Sequence, residues 1–249
     1  MRLGAEPEDD VVAVPPVGEE DWRFITRIGL WGMKLDGTVG AGNAETDINV
    51  RFDKLVENMN YGFMPGVEFG KGKWFLAFNG LYSQLEYKDD FARVLQDGQV
   101  LEGDVVVKMD LDIADLALSY EAFDIPLGDD GMRLILAPAV GLCYTYMSTQ
   151  IKLDHRPSRS DDVSWWDPYV GGRMVLKITN RLAWRTDGSF GGWGVGCNST
   201  WAVQTMLDWR FARRRELNVG YRALHQNYDD DLKWDMTMRG PWIGASTYC

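Results

Sequence analysis

The sequence predicts an all-β protein: a single closed, antiparallel, up-and-down transmembrane β-barrel of about ten strands. Three observations lead there. Stretches of about ten residues alternate apolar and polar side chains with period two. Short polar turns alternate with long polar connections, so the long ones collect at one end of an antiparallel sheet. Aromatic side chains gather where the alternating stretches begin and end, on the apolar parity.

The alternation is clearest from Trp165 to Phe190. Pro168, Val170, Gly172, Met174, Leu176 and Ile178 share one face, and Asp167, Tyr169, Gly171, Arg173 and Lys177 share the other. After a polar turn at Thr179-Asn180-Arg181, Leu182, Trp184, Thr186 and Phe190 oppose Ala183, Arg185, Asp187 and Ser189. Two such arms around a short turn make a β-hairpin.

The other elements repeat this unit. Residues 1–21 are rich in Glu, Asp and Pro and lack an apolar h-region; they predict a disordered lead-in with no signal peptide as written. Trp22, Phe24, Ile28 and Leu30 then alternate with Arg23, Arg27 and Trp31. Residues 34–60 read as a long polar connection, with a short helical turn at Phe52–Met59. Tyr61, Phe63, Pro65, Val67 and Phe69 oppose Gly62, Met64, Gly66 and Glu68. A tight turn at Lys71-Gly72-Lys73 leads to Trp74, Leu76, Phe78 and Tyr82, and residues 87–104 read as a second long connection. From Val105 to Phe123 the apolar parity switches: Val105, Val107, Met109, Leu111 and Ile113, then Leu116, Leu118 and Tyr120. A bulge near Ala114 would reconcile the two halves. Leu134, Leu136, Pro138, Val140, Leu142, Tyr144 and Tyr146 form the next apolar face, and residues 147–164 the third long connection. Beyond the hairpin and a glycine-rich loop at 191–200, three more strands follow. Their apolar faces carry Trp201 to Phe211, Leu217 to Ala223, and Trp234, Met236, Met238 and Trp242. No Pro-rich linker interrupts them, so residues 22–249 read as one domain.

Composition narrows the function classes. A formal net charge of −11 argues against nucleic-acid binding. The mean hydropathy is −0.26 and no run nears the ~18 apolar residues of a transmembrane helix, which leaves barrel strands open. Cys143, Cys197 and Cys249 show no metal-ligand or redox spacing, and no cofactor or metal is expected.

Which face points outward follows from two features. The polar face carries Arg23, Arg27, Glu68, Lys108, Asp110, Arg133, Asp167, Arg173, Arg185, Asp187, Asp208, Arg210, Arg222, Asp235 and Arg239, mixed with small residues. Opposite charges among Gly, Ala and Ser suit a crowded polar lumen in which ions are paired. Trp22, Tyr61, Trp74, Tyr144, Trp201, Trp209, Trp234 and Trp242, on the apolar parity, suit the aromatic girdles of a barrel in lipid.

The motifs Asp167-Pro168-Tyr169-Val170-Gly171-Gly172-Arg173, Gly220-Tyr221-Arg222 and Gly240-Pro241-Trp242-Ile243-Gly244 resemble recurring strands of uncharacterised Gram-negative outer-membrane β-barrel proteins. These are broadly similar to outer membrane protein A-like barrels. The resemblance covers roughly Asp21 to Tyr248. It implies insertion into the bacterial outer membrane by the barrel assembly machinery, periplasmic termini and short turns, and extracellular long loops.

The expected role is non-catalytic: a structural or surface-interaction barrel in a lipid bilayer, its lumen filled by paired charges, its long loops meeting an envelope or surface partner. A narrow pore for ions or small polar solutes is the first alternative. A rim protease of the omptin type would draw on Asp110, Asp112, Asp154 and His155, but Asp154 and His155 are adjacent and diverge in a loop. A soluble ligand-binding barrel is the third. His225 and the acidic runs at Asp161-Asp162 and Asp229–Asp231 read as solvated strand ends and turns.

Overall fold

The computed structural model describes residues 22–41, 44–50, 62–94, 100–128, 131–153, 159–230 and 233–249. The expected lead-in, the helical turn at 52–59, Tyr61, Asp154 and His155 lie outside these residues. Every regular element described is a strand. They are β1 (Trp22–Trp31), β2 (Lys34–Ala41), β3 (Ala44–Val50), β4 (Gly62–Lys71), β5 (Trp74–Val94), β6 (Val100–Tyr120) and β7 (Phe123–Leu127). They continue as β8 (Met132–Leu153), β9 (Arg159–Lys177), β10 (Leu182–Gly192), β11 (Ser199–Ala212), β12 (Arg215–Asp229) and β13 (Lys233–Tyr248).

Ten strands close an antiparallel barrel in the order β1-β4-β5-β6-β8-β9-β10-β11-β12-β13, and β1 returns to β13 from Ile25↔Tyr248 to Trp31↔Trp242. Closure removes the free sheet edges, and this lets strands stand in lipid with every ladder paired. Three strands lie off the ring. β7 pairs the start of β8, and the β2–β3 hairpin adds to the far end of β13 through Lys34↔Arg239 to Gly40↔Lys233.

The long connections are shorter than the sequence suggested. Lys34–Ala41 and Ala44–Val50 pair as the β2–β3 hairpin, and β5, β6 and β8 run through most of the residues read as loops, reaching 21 or 22 residues each. At ~3.3 Å per residue such a strand spans about 70 Å, against about 30 Å of hydrocarbon. Even tilted, these hairpins rise well beyond the lipid. Their polarity had concealed them, because strands in water need only one apolar face.

That one face points inward. Below, at the short-turn end, Ile28, Leu30, Phe69, Phe78, Leu116, Leu118, Val140, Leu142, Val170, Val203, Leu207, Val219 and Ile243 are exposed on the outer wall. This is an apolar belt that only lipid can cover favourably. Above it the polarity inverts. Met33, Leu81, Met109, Leu111, Met147, Met206, Leu224, Met236 and Met238 pack inside the barrel as a buried core. Trp165 stacks on Tyr228 there, with ring centroids 4.4 Å apart.

Strand β6 passes through both regimes without a bulge. Its register runs unbroken from Val105 to Ser119 against both β5 and β8. Leu116 and Leu118 face lipid, while Met109, Leu111 and Ile113, on the opposite parity, face the core. The parity switch near Ala114 therefore marks the edge of the belt and not an inserted residue. It follows that Lys108 and Asp110, expected in the lumen, lie on the outer parity above the belt.

Candidate functional site

The site is a network of ions and hydrogen bonds strung across the lumen inside the lipid belt. Period-two alternation sends Arg27 of β1, Glu68 of β4, Arg173 of β9, Asp187 and Arg185 of β10, Asp208 of β11 and Asn218 of β12 inward. Glu68 is 2% exposed. It accepts from Arg27 Nη1 at 3.0 Å and from Arg173 Nη1 at 2.8 Å. β4 and β9 stand nearly opposite in the ring, so this carboxylate joins two sides of the barrel. Arg173 Nε also donates to Asp187 at 2.6 Å, and Arg185 lies 3.8 Å from Asp187 and 3.2 Å from Asp208. Asn218 donates to Asp208 at 2.6 Å, and Ser246 of β13 donates to Asn218 at 2.9 Å.

Each arginine needs this arrangement. A buried guanidinium without a counter-charge is expensive, and bidentate or shared carboxylates offset the desolvation. The paired ions thus hold strands at fixed separations across a lumen that would otherwise admit water.

Two cavities flank the network. The upper one, about 200 Å³, is lined by Asp115, Tyr169 and Arg222 among others. Arg222 Nη1 donates to Gln204 at 2.8 Å, and its guanidinium lies 5.2 Å from the Trp31 ring centroid. Asn79 donates to Asp115 at 3.0 Å. The lower cavity, about 700 Å³, lies at the short-turn end. There Arg210 Nη2 meets Glu216 at 2.6 Å, and the Tyr248 hydroxyl donates to the same carboxylate. Arg23, half-buried, donates to the Gly72 carbonyl and lies 4.2 Å from the Phe75 ring centroid.

Several expected lumen residues do something else. Asp167 is inside and fully buried, but its partners are neutral: Trp165 Nε1 at 3.0 Å and the Cys197 amide at 2.6 Å. It anchors the β10–β11 turn, in which Trp193 adopts φ 50°. Arg133 is not in the lumen. It sits exposed past the lower rim, gripping Asp124 through Nε at 2.9 Å and Nη2 at 2.7 Å. Asp235 and Arg239 are not in the lumen either. β13 turns its even-numbered residues inward along its whole length, which puts both on the outer wall above the lipid. There Asp235 accepts from Asn227 at 3.1 Å and Arg239 lies 3.6 Å from Asp36.

The same parity corrects two aromatics. Trp234 is fully buried and Trp242 is 5% exposed; both belong to the core and not to a girdle. Trp242 points inward because Gly29 and Gly244 leave it room. A Cβ added at Gly29 would come within 2.5 Å of the indole. Of the remaining girdle residues, Trp22, Trp74 and Trp209 sit exposed near the short-turn end. Tyr144 packs on Trp166 at 4.9 Å at the upper edge of the belt, and Trp201 stacks on His225 there. Trp166, Trp184 and Trp193 are also exposed and were not singled out from sequence.

The residues missed in the network are Asp115, Gln204, Glu216, Asn218 and Ser246. Parity alone would have found Asn218 and Gln204. Asp115 was hidden by the supposed bulge, and Glu216 by the basic turn it follows. Of the acids weighed for a protease, Asp110 and Asp112 lie on the outer parity of β6. Partial burial, and after it the charge of Asp110, raise the pKa of Asp112. His225 Nδ1 is 3.1 Å from the Thr237 hydroxyl, and Nε2 is 3.9 Å from Asp235. Among the described residues no cluster of His, Cys, Asp and Glu could hold a metal ion.

No protein-family model and no curated protein matches the chain. Among solved structures, the outer membrane protease OmpT of Escherichia coli is similar with a TM-score of 0.53 and 8% identity, over 91% of this chain and 97% of that one. The translocator domain of the autotransporter NalP from Neisseria meningitidis gives 0.46 and 12%, over 91% and 88%. The attachment invasion locus protein Ail of Yersinia pestis gives 0.42 and 8%, over 92% and 99%. The likeness to OmpT is one of fold: the chain is a transmembrane β-barrel of the outer-membrane type.

Proposed function

We propose that the chain serves a bacterial outer membrane as a non-catalytic barrel, closed to ion flow, whose structural or surface-interaction role is carried by the wall that rises above the lipid. The observation that carries this reading is Glu68 held from two sides of the ring by Arg27 and Arg173. The apolar core stacked above the network supports it further, since a water path through the barrel would have to cross packed Met and Trp side chains. Barrels of about eight strands are filled by side chains and wide channels need about sixteen; ten lies near the filled end. Delivery by the barrel assembly machinery and a partner at the raised hairpins belong to the same proposal.

Conductance tests it. The purified chain in planar bilayers is expected to give no unitary current steps. Reproducible steps of one size from the unmodified protein would replace this reading with the narrow pore.

A further inference from the structure

We infer that the upper cavity is a binding site for a small neutral solute with an apolar body and one hydrogen-bond-accepting oxygen, the size of a phenol. Its volume of about 200 Å³ sets the size. A cavity of about 150 Å³ accepts benzene, and drug-sized ligands need about 300 Å³ or more. Met64, Leu81, Ile113 and Leu224 supply apolar walls. The thioether of Met64 is unbranched and adapts to the shape of a guest.

Two donors call for the oxygen. Arg222 Nε and Trp242 Nε1 are buried and have no hydrogen-bond partner, and both side chains line the cavity. A buried donor left unmade is costly, and an accepting oxygen on the guest satisfies it. The charges favour a neutral guest. Arg27, Arg173, Arg185 and Arg222 line the cavity. The first three are paired with Glu68, Asp187 and Asp208, and Asp115 shares the lining with Arg222. Among the described residues four cations thus stand with four carboxylates, and no charge is left over for an ion.

The site is entered from above the lipid. The β9–β10 ladder ends at Tyr169↔Gly191 and the β11–β12 ladder at Ser199↔Asn227. Above these pairs no ladder joins β9 to β12 among the described residues. The stack of Trp165 on Tyr228 closes this seam, and just below it Gln226 donates to Thr145 at 2.8 Å. The next inward residue down β8 from Thr145 is Cys143, which lines the cavity. Side chains alone therefore separate the seam from the site, and they can rotate aside without breaking a strand pair. With the ion network closed below it, the cavity is a dead end.

Fluorine NMR with 4-fluorophenol on the full chain in lipid nanodiscs tests this, with empty nanodiscs as the measure of partition into lipid. One saturable site per chain is expected, unchanged as salt is raised because the guest is neutral. Ala139→Leu, which adds three carbons to the lining, should abolish the saturable component. Trp242→Phe keeps an aromatic ring and loses the N–H, and should weaken binding about fivefold, the equivalent of one hydrogen bond. Tyr228→Ala should speed exchange of the probe by opening the seam. Heat-modifiable gel mobility checks that each variant is folded. A probe signal no different from that in empty nanodiscs would leave the cavity to water and overturn the inference, as would a saturable component that Ala139→Leu and Trp242→Phe leave untouched. Exchange unaltered in Tyr228→Ala would overturn the seam as the entrance. Binding is read independently of conductance, so the closed-lumen reading and this one can fail separately.

Discussion

Replacing Glu68 by alanine is expected to destabilise the folded barrel by about 3–5 kcal/mol, the cost of breaking a buried ion pair by deleting one partner. The carboxylate is nearly inaccessible and is shared by Arg27 and Arg173. Arg173 would keep Asp187 at 2.6 Å. Arg27 would be left facing the lumen with its guanidinium desolvated and its carboxylate gone. The double variant Glu68→Ala/Arg27→Ala should therefore recover part of the loss, because two coupled deletions remove the stranded charge. Reversible urea unfolding in lipid vesicles gives both values. A single-variant loss below about 1 kcal/mol would mean that water already solvates these ions, and the lumen would then have to be redrawn as wet.

Val140→Arg is the second large effect. Val140 is 55% exposed in the middle of the outward run of β8, between Leu118 and Val170 on the neighbouring strands. A guanidinium at the bilayer midplane of a barrel costs about 2–4 kcal/mol. Ser148→Arg, on the same face of the same strand but above the belt, should change stability by no more than about 0.5 kcal/mol. The contrast is the informative part. Equal small effects at both positions would place the whole outer face in water.

The sequence made the lower half of the barrel readable and obscured the upper half, for one physical reason. Alternation reports that a strand has an apolar side; it does not report what covers that side. In the β9–β10 hairpin the apolar parity, Val170 and Phe190 among it, meets lipid, so the polar parity is the lumen and Arg173, Arg185 and Asp187 were found directly. On β13 the same logic misled. Trp234, Met236 and Met238 form an apolar parity too, but above the lipid, where apolar means inward. Their continuation within the belt is Gly244 and Ser246, small and polar-tolerant, while Ile243 and Ala245 take the lipid side. The switch was in the sequence on β6 as well, where a change of solvent was mistaken for an extra residue. The β2–β3 hairpin was missed because residues 34–50 are short of large apolar side chains and rich in Gly, Asp and Thr, which read as loop.

The inversion of polarity along a single continuous strand is therefore the claim to test first. Nitroxide labels placed one at a time on β6 at Lys108, Asp110, Asp112, Leu116 and Leu118, in a background freed of the native cysteines and reconstituted in lipid, would report it. All five share the outward parity. Labels at Leu116 and Leu118 should relax with membrane-dissolved oxygen, and those at Lys108, Asp110 and Asp112 with a water-soluble nickel chelate, the change falling across Ala114. Oxygen accessibility continuing unchanged up to Lys108, or labels on the two sides of Ala114 reporting opposite faces of the wall, would contradict it.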